Sequence, residues 1–276
     1  MRKFFEFINK LDRRVIFIFV ALAIIIPLLR PLNIKFTVTE PVQGFYDAIE
    51  KVPQGSKVLF SCDYEPGSRP ELFPMTVAAL EQMLRRNLKV IALSLWPAGP
   101  PIVEEALSDV AEKQFKSKYG VDYVNLGFKE GREVVMVSMG SSIPTTFPQD
   151  FRGTKVSEIP IMQGVSNFSD VKLIVNISGG YPGTKEWVQQ VQARYNIGLV
   201  SGCTAVSAPE YYPYYQSGQL RGLLGGMKGA AEYEMLVGRT GLGRKGMDAQ
   251  SMAHLIIFLF IVLGNLAYFS LKKKKT

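Results

Sequence analysis

Two long apolar runs lie near the ends of the chain, and shorter apolar runs alternate with amphipathic stretches between them. The first, VIFIFVALAIIIPLL at residues 15–29, carries no charge. As a helix it would rise about 22 Å, short of a hydrocarbon core near 30 Å. Arg14 and Arg30 can snorkel outward, and Pro31, Leu32, Asn33 and Ile34 can lengthen the segment, so a membrane helix is expected over residues 15–34. A cleaved signal peptide would start in the same way. No small-x-small cleavage site follows, however; Pro27, Arg30 and Pro31 stand there instead, which favours an anchor.

The second run, residues 252–271 (MAHLIIFLFIVLGNLAYFSL), has full spanning length and ends in four lysines, Lys272 to Lys275. A membrane helix is expected over 251–271, with Tyr268 as an interface aromatic and His254 and Asn265 as polar exceptions. His254 lies within a turn of the end and reads as interfacial; Asn265 is suited to bonding a neighbouring helix, or equally to standing as a lone tolerated amide. A lysine cluster just past a helix marks the cytoplasmic side. It also fits a dilysine retrieval signal, a weaker reading because topology alone produces such clusters.

Between the anchors the period changes repeatedly. Residues 44–50 read as a short helix, and 57–62 (KVLFSC) as a buried strand bounded by turn signals. Residues 73–87 place Val77, Leu80, Met83 and Leu84 at helical spacing. A strand is expected at 89–96, a helix at 102–119 and a strand at 122–128. Lys129 to Arg132 would then turn the chain, as a hairpin, into a fourth strand at 133–139. A Pro/Thr/Ser-rich stretch at 141–160 interrupts the pattern. It resumes with a strand at 171–177, a helix at 184–195, a strand at 197–200 and a largely helical, glycine-heavy region at 209–237. Strands alternating with helices predict an α/β domain, a mostly parallel sheet with helices on both faces in Rossmann-like layering, over residues 35–237. Residues 238–250, with four glycines and three basic groups, read as a flexible juxtamembrane linker.

Charge sharpens the membrane expectation. The net charge is +8, yet residues 36–250 hold 21 basic and 22 acidic groups. The excess therefore sits in the basic tail at 1–14, around the first apolar run, and in the lysine tail at 272–276. Nucleic acid loses its support as a partner. Both termini are expected in the cytoplasm and the central domain outside it, with the lipid bilayer as one partner and a protein subunit or second copy as another.

Candidate chemistry gathers where parallel strands end. After the first strand come Asp63 and Glu65, able to bind a hard cation or act as acid and base. After the strand at 171–177 come Ser178, Gly179 and Gly180, leading to a helix that Thr184 would cap, a place for an anion. The order Thr-Lys there is not that of a Walker loop, and a plain tight turn explains the glycines equally. Cys203 ends the strand at 197–200. It and Cys62 are the two cysteines, open to pairing or to filling core volume. The single histidine, His254, belongs to the second anchor, which excludes Ser-His-Asp and Cys-His chemistry and His-ligated zinc from the domain. A Ser–Lys pair drawn from Ser178, Lys185 and Lys228 stays open, and no cofactor is indicated.

Tyr211, Tyr212, Tyr214 and Tyr215, followed by Gly222, Gly225, Gly226 and Gly229, suit a contact surface with close helix packing, or a domain edge folded onto its own sheet. The functional expectation is a non-enzymatic assembly or scaffold subunit of a membrane complex. The alternative is a tethered enzyme or ligand sensor using the strand-end loops.

Overall fold

The computed structural model describes residues 4, 6, 7, 11–34 and 37–272. The chain divides into two compact units: its two ends, Met1–Lys35 with Arg244–Thr276, and the stretch Phe36–Gly243.

The second unit is an α/β domain. Its strands are β1 (Lys57–Asp63), β2 (Lys89–Ser94), β3 (Tyr123–Phe128), β4 (Leu173–Ser178), β5 (Leu199–Cys203) and β6 (Gly222–Gly225). They form one six-stranded sheet in the order β3-β2-β1-β4-β5-β6, with every neighbouring pair parallel. The helices in chain order are α1 (Arg13–Leu29), α2 (Glu40–Glu50), α3 (Arg69–Arg85), α4 (Gly99–Leu107), α5 (Glu133–Ser141) and α6 (Ile143–Thr146). Next comes α7, residues 184–195, whose middle is a π-helical run, Trp187–Gln192. Then follow α8 (Ala208–Gln216), α9 (Gly226–Val237) and α10 (Leu242–Lys272).

Strand alternation sorts the core into two layers. Val58, Phe60, Val90, Ala92, Val175 and Val200 face α2, α3, α4 and α9. Leu59, Ile91, Leu93, Ile174 and Leu199 face α5, α6, α7 and α8. Both faces of the sheet are therefore covered, which is why its strands read as nearly continuous apolar runs.

Three expectations are corrected here. Residues 133–139 are not a hairpin strand but most of α5. Val135, Met136 and Met139 are the buried positions, a helical spacing that seats them in the second core layer. The region 209–237 is broken by β6, so it is two helices and an edge strand. The expected linker at 238–250 is helical from Leu242 onward and buries Asp248.

In the first unit one helix among the described residues is long and apolar enough to cross a membrane, Leu242–Leu271. The expected counterpart at 15–34 is shorter: α1 has 17 residues and stops at Leu29. Arg30 precedes a proline and adopts extended backbone, and Asn33 has φ +55°, so residues 31–34 do not prolong the helix. Instead the amides of Leu32 and Asn33 donate to Asp248 Oδ2 at 2.9 Å, and that of Ile34 to Oδ1 at 3.3 Å. Phe19 meets Phe260 with ring centroids 5.8 Å apart. The two contacts run in opposite senses along α1 and α10, which makes the helices an antiparallel pair. Lys273 to Lys275, and most of the tail at 1–10, lie outside the described residues.

Candidate functional site

From β1 the sheet grows through β2 in one direction, while β4 on its other side leads to β5 and β6. At such a reversal the connections leave towards opposite faces, and a crevice forms beyond the strand ends. Here those ends are Asp63 and Ser178, paired in register across β1 and β4.

Positions 61, 63, 176, 178 and 201 fall on the face covered by α7, and all five are polar and buried. Asp63 stands at the centre. Its Oδ1 accepts the Leu95 amide at 2.7 Å. Its Oδ2 accepts Ser61 Oγ at 2.7 Å, Asn176 Nδ2 at 2.8 Å and Trp187 Nε1 at 3.0 Å. Burial pushes the carboxyl up from 3.8 to about 6, against these four hydrogen bonds, which pull it down. No cation is needed to hold it.

The network continues through β4 and β5. Thr184 Oγ1 lies 2.6 Å from Ser201 Oγ and 3.0 Å from Ser178 Oγ, and Ser201 Oγ donates to Asn176 Oδ1 at 3.3 Å. At the start of α7 the Thr184 amide donates to Ser178 Oγ at 3.1 Å and the Gly183 amide to Glu186 Oε2 at 2.8 Å. Two of the amides expected to meet an anion, those of Gly183 and Thr184, are thus bonded within the chain.

Above this seam the loops close on one another. Trp96 Nε1 donates to the Pro182 carbonyl at 2.9 Å, joining the β2 and β4 loops. A Cβ built at Gly180 would touch the Trp96 ring at 3.5 Å, and one at Gly179 would meet Ser68 Oγ at 3.0 Å and Tyr64 Cβ at 3.2 Å. These glycines seat the loop against its neighbours. Further out, Arg132 holds φ +51°, its guanidinium lies 5.1 Å from the Tyr181 ring centre, and Tyr181 donates to Glu133 Oε1 at 2.7 Å.

The sequence candidates therefore separate. Asp63, Ser178 and Thr184 come together in the buried network, and Gly179 and Gly180 form its lid. Glu65 is exposed on the β1 loop. Cys203 lies in the core beneath α8, its thiol directed at the Leu224 carbonyl at 3.6 Å, and burial pushes it up to about 12. Cys62 faces the other core layer two strands away, roughly 10 Å across the sheet, so the cysteines do not pair and both thiols are free. Lys185 pairs with Glu210 at 3.6 Å and Lys228 with Glu232 at 3.2 Å, leaving Ser178 without a lysine base.

Of the tyrosines, Tyr211 is buried, Tyr214 and Tyr215 are half-buried, and Tyr212 is exposed. Gly222, Gly226 and Gly229 are buried against the domain's own backbone, and Gly225 is half-buried against Ala208. A cavity of about 530 Å³ lies beside the start of the edge strand β6, lined by Gly44, Lys51, Tyr215 and Arg221 among others.

Ser61 and Ser201 stand in the strand-end stretches the sequence pointed to, whereas Asn176, Trp96 and Trp187 were not anticipated. A signal existed in Ser61-Cys-Asp63, Asn176-Ile-Ser178 and Ser201: polar residues at every second position near strand ends, which places them on one face.

The strand order and this polar seam define a doubly wound α/β domain. Its first βα turn, Tyr64-Glu-Pro-Gly-Ser-Arg69, has a single glycine and lacks the Gly-x-Gly-x-x-Gly pattern of dinucleotide sites. The chain matches no protein-family model, no curated protein and no solved structure.

Asp63 makes a testable contribution to stability. Its folded pKa lies above its unfolded one, so the folded state binds the proton more tightly. The contribution is fully present below about pH 4, falls as pH rises to about 6 and is flat beyond, a loss of about 3 kcal/mol. Urea unfolding of the wild type should lose that much relative to Asp63→Asn between pH 4 and 7. Parallel pH profiles for the two would contradict the assignment.

Proposed function

We propose that this chain is a membrane-anchored assembly or scaffold subunit that works by contact rather than catalysis. The observation that carries the reading is the internal satisfaction of the sheet's switch point. Asp63, Ser178, Thr184 and the amides of Gly183 and Thr184 at the start of α7 bond to one another or to their own domain. A reacting carboxylate or an anion site keeps a lone pair or an amide for its substrate. The alternative, an enzyme or sensor at the strand-end rim, has weaker support for that reason.

Contact chemistry is available nearby. Val206 is 89% exposed, Tyr212 is 43% exposed, and Pro209 and Pro213 lie outward beside them. Together they make an apolar row on α8 and the loop before it, of the kind that marks protein contacts. In mild detergent, blue-native electrophoresis should show the wild type in a defined complex. The pair Val206→Asp and Tyr212→Asp should shift it to a lighter species with unchanged near-UV circular dichroism. An unchanged complex would remove this surface from the account.

In the same reading α10 crosses the bilayer and α1 lies beside it as a second, shorter anchor. Its 17 residues rise about 25 Å, and Arg13, Arg14 and Arg30 snorkel to the interfaces. The antiparallel pairing supports both termini on one side, and their basic residues support the cytoplasmic side. The domain is then extracytoplasmic. A cysteine replacing Ser217 should react with an impermeant maleimide added outside intact cells, and one replacing Lys3 should not. The reverse pattern would invert the topology.

A further inference from the structure

The apolar stretch of α10 carries His254, Asn265 and Tyr268 on one face, with Ser270 turned away from it. His254, Phe258, Ile261, Asn265 and Tyr268 follow at spacings of four, three, four and three residues, and all are exposed. This heptad rhythm keeps positions in line along a helix. The buried alanines of α10, Ala249, Ala253 and Ala267, lie with Phe260 on a different face, about 100–140° around the helix, and the buried Asp248 lies about 120° away in the other sense. Pairing with α1 thus leaves the polar stripe uncovered.

Asn265 gives one amide hydrogen to the Ile261 carbonyl at 3.0 Å. Its own carbonyl and second N–H make no other hydrogen bond among the described residues. If the pair is centred where Phe260 meets Phe19, Asn265 lies about 8 Å from the bilayer centre and His254 about 9 Å on the other side. Both are then inside a hydrocarbon half-thickness of about 15 Å. An asparagine side chain is too short to reach water from there, and polar groups facing lipid at that depth are costly.

We propose that this face of α10 packs against the same face of a second copy of the chain, with Asn265 bonded to Asn265 across a two-fold axis. The carboxamide has both donors and acceptors, so it complements itself, as an isologous contact requires. Copies inserted in the same sense run parallel, and equal heptad positions then meet. A single polar residue in such a seam fixes register. The inference rests on α10 spanning the membrane and names the partner for the assembly reading.

Cysteines placed singly in the full-length chain, in its own membrane, test it by oxidative crosslinking. Phe258→Cys and Ile261→Cys should give disulfide-linked dimers, whereas Leu259→Cys and Leu266→Cys should not. Asn265→Leu should weaken dimerisation by roughly 3- to 30-fold. Equal crosslinking at all positions, or none in protein that resists alkaline carbonate extraction, overturns the pairing while leaving the anchor. Release by carbonate overturns the anchor itself. Crosslinking of the seam positions to a different chain overturns the choice of a second copy.

Discussion

Replacing Trp187 by alanine should destabilise the central domain by about 4 kcal/mol or more. The side chain is fully buried in the layer beneath the sheet, edge-on to Phe168 with ring centroids 6.3 Å apart. Deleting a buried tryptophan costs about 3–5 kcal/mol through lost transfer and the cavity left behind. Here it also removes the Nε1–H that donates to Asp63, a loss worth about 1–3 kcal/mol at a buried acceptor. Trp187→Phe separates the two contributions. It keeps most of the ring and loses the donor, so it should cost about 1–3 kcal/mol. Denaturant unfolding of the full-length protein in detergent measures both. If alanine and phenylalanine cost the same, packing around Trp187 is not what holds α7 to the sheet.

Gly222→Ala should cost about 3 kcal/mol or more, a large effect for one methyl group. A Cβ at this position would lie 2.0 Å from the Phe45 nitrogen and 2.3 Å from its Cα. Both atoms are backbone, so no side chain can swing away; α2 and β6 must part. Overpacking a core typically costs about 1–3 kcal/mol, and a backbone collision belongs at or beyond the upper end. Gly218→Ala is the control. Nothing lies within 4 Å of its Cβ position, and its φ of +78° leaves only conformational strain of about 1–2 kcal/mol. Equal destabilisation by the two substitutions would show that α2 and β6 do not approach this closely.

These sites show what the sequence could and could not reveal. The strands at 57–62 and 122–128 were legible to within one residue, because both faces of a parallel sheet are buried and apolar runs mark them. β6 was not legible. Gly-Leu-Leu-Gly has two residues without side chains, and the first, Gly222, is there to admit Phe45, a reason found 177 residues earlier in the chain. α5 was misread because Val134, Val135 and Val137 favour strands locally. Packing of Val135, Met136 and Met139 against the second core layer outweighs that preference. At the switch point Asp63, Ser178 and Thr184 were legible as a group, since strand ends converge wherever a parallel sheet reverses. Their partners were not. Trp187 and Leu95 reach Asp63 through tertiary contacts 124 and 32 residues away, and no local pattern encodes them.

The same distinction supports the proposed reading of contact over chemistry. Strand-end position alone made Asp63 a candidate acid or base. Its four donors, Ser61, Leu95, Asn176 and Trp187, make it a tie between β1, β2, β4 and α7 instead.

The most direct test of the central claim is native mass spectrometry of the full-length protein, released from its own membrane in mild detergent. The account predicts a defined oligomer or a stoichiometric complex with another protein. A bare monomer that retains a small bound ligand would contradict it and return attention to the rim.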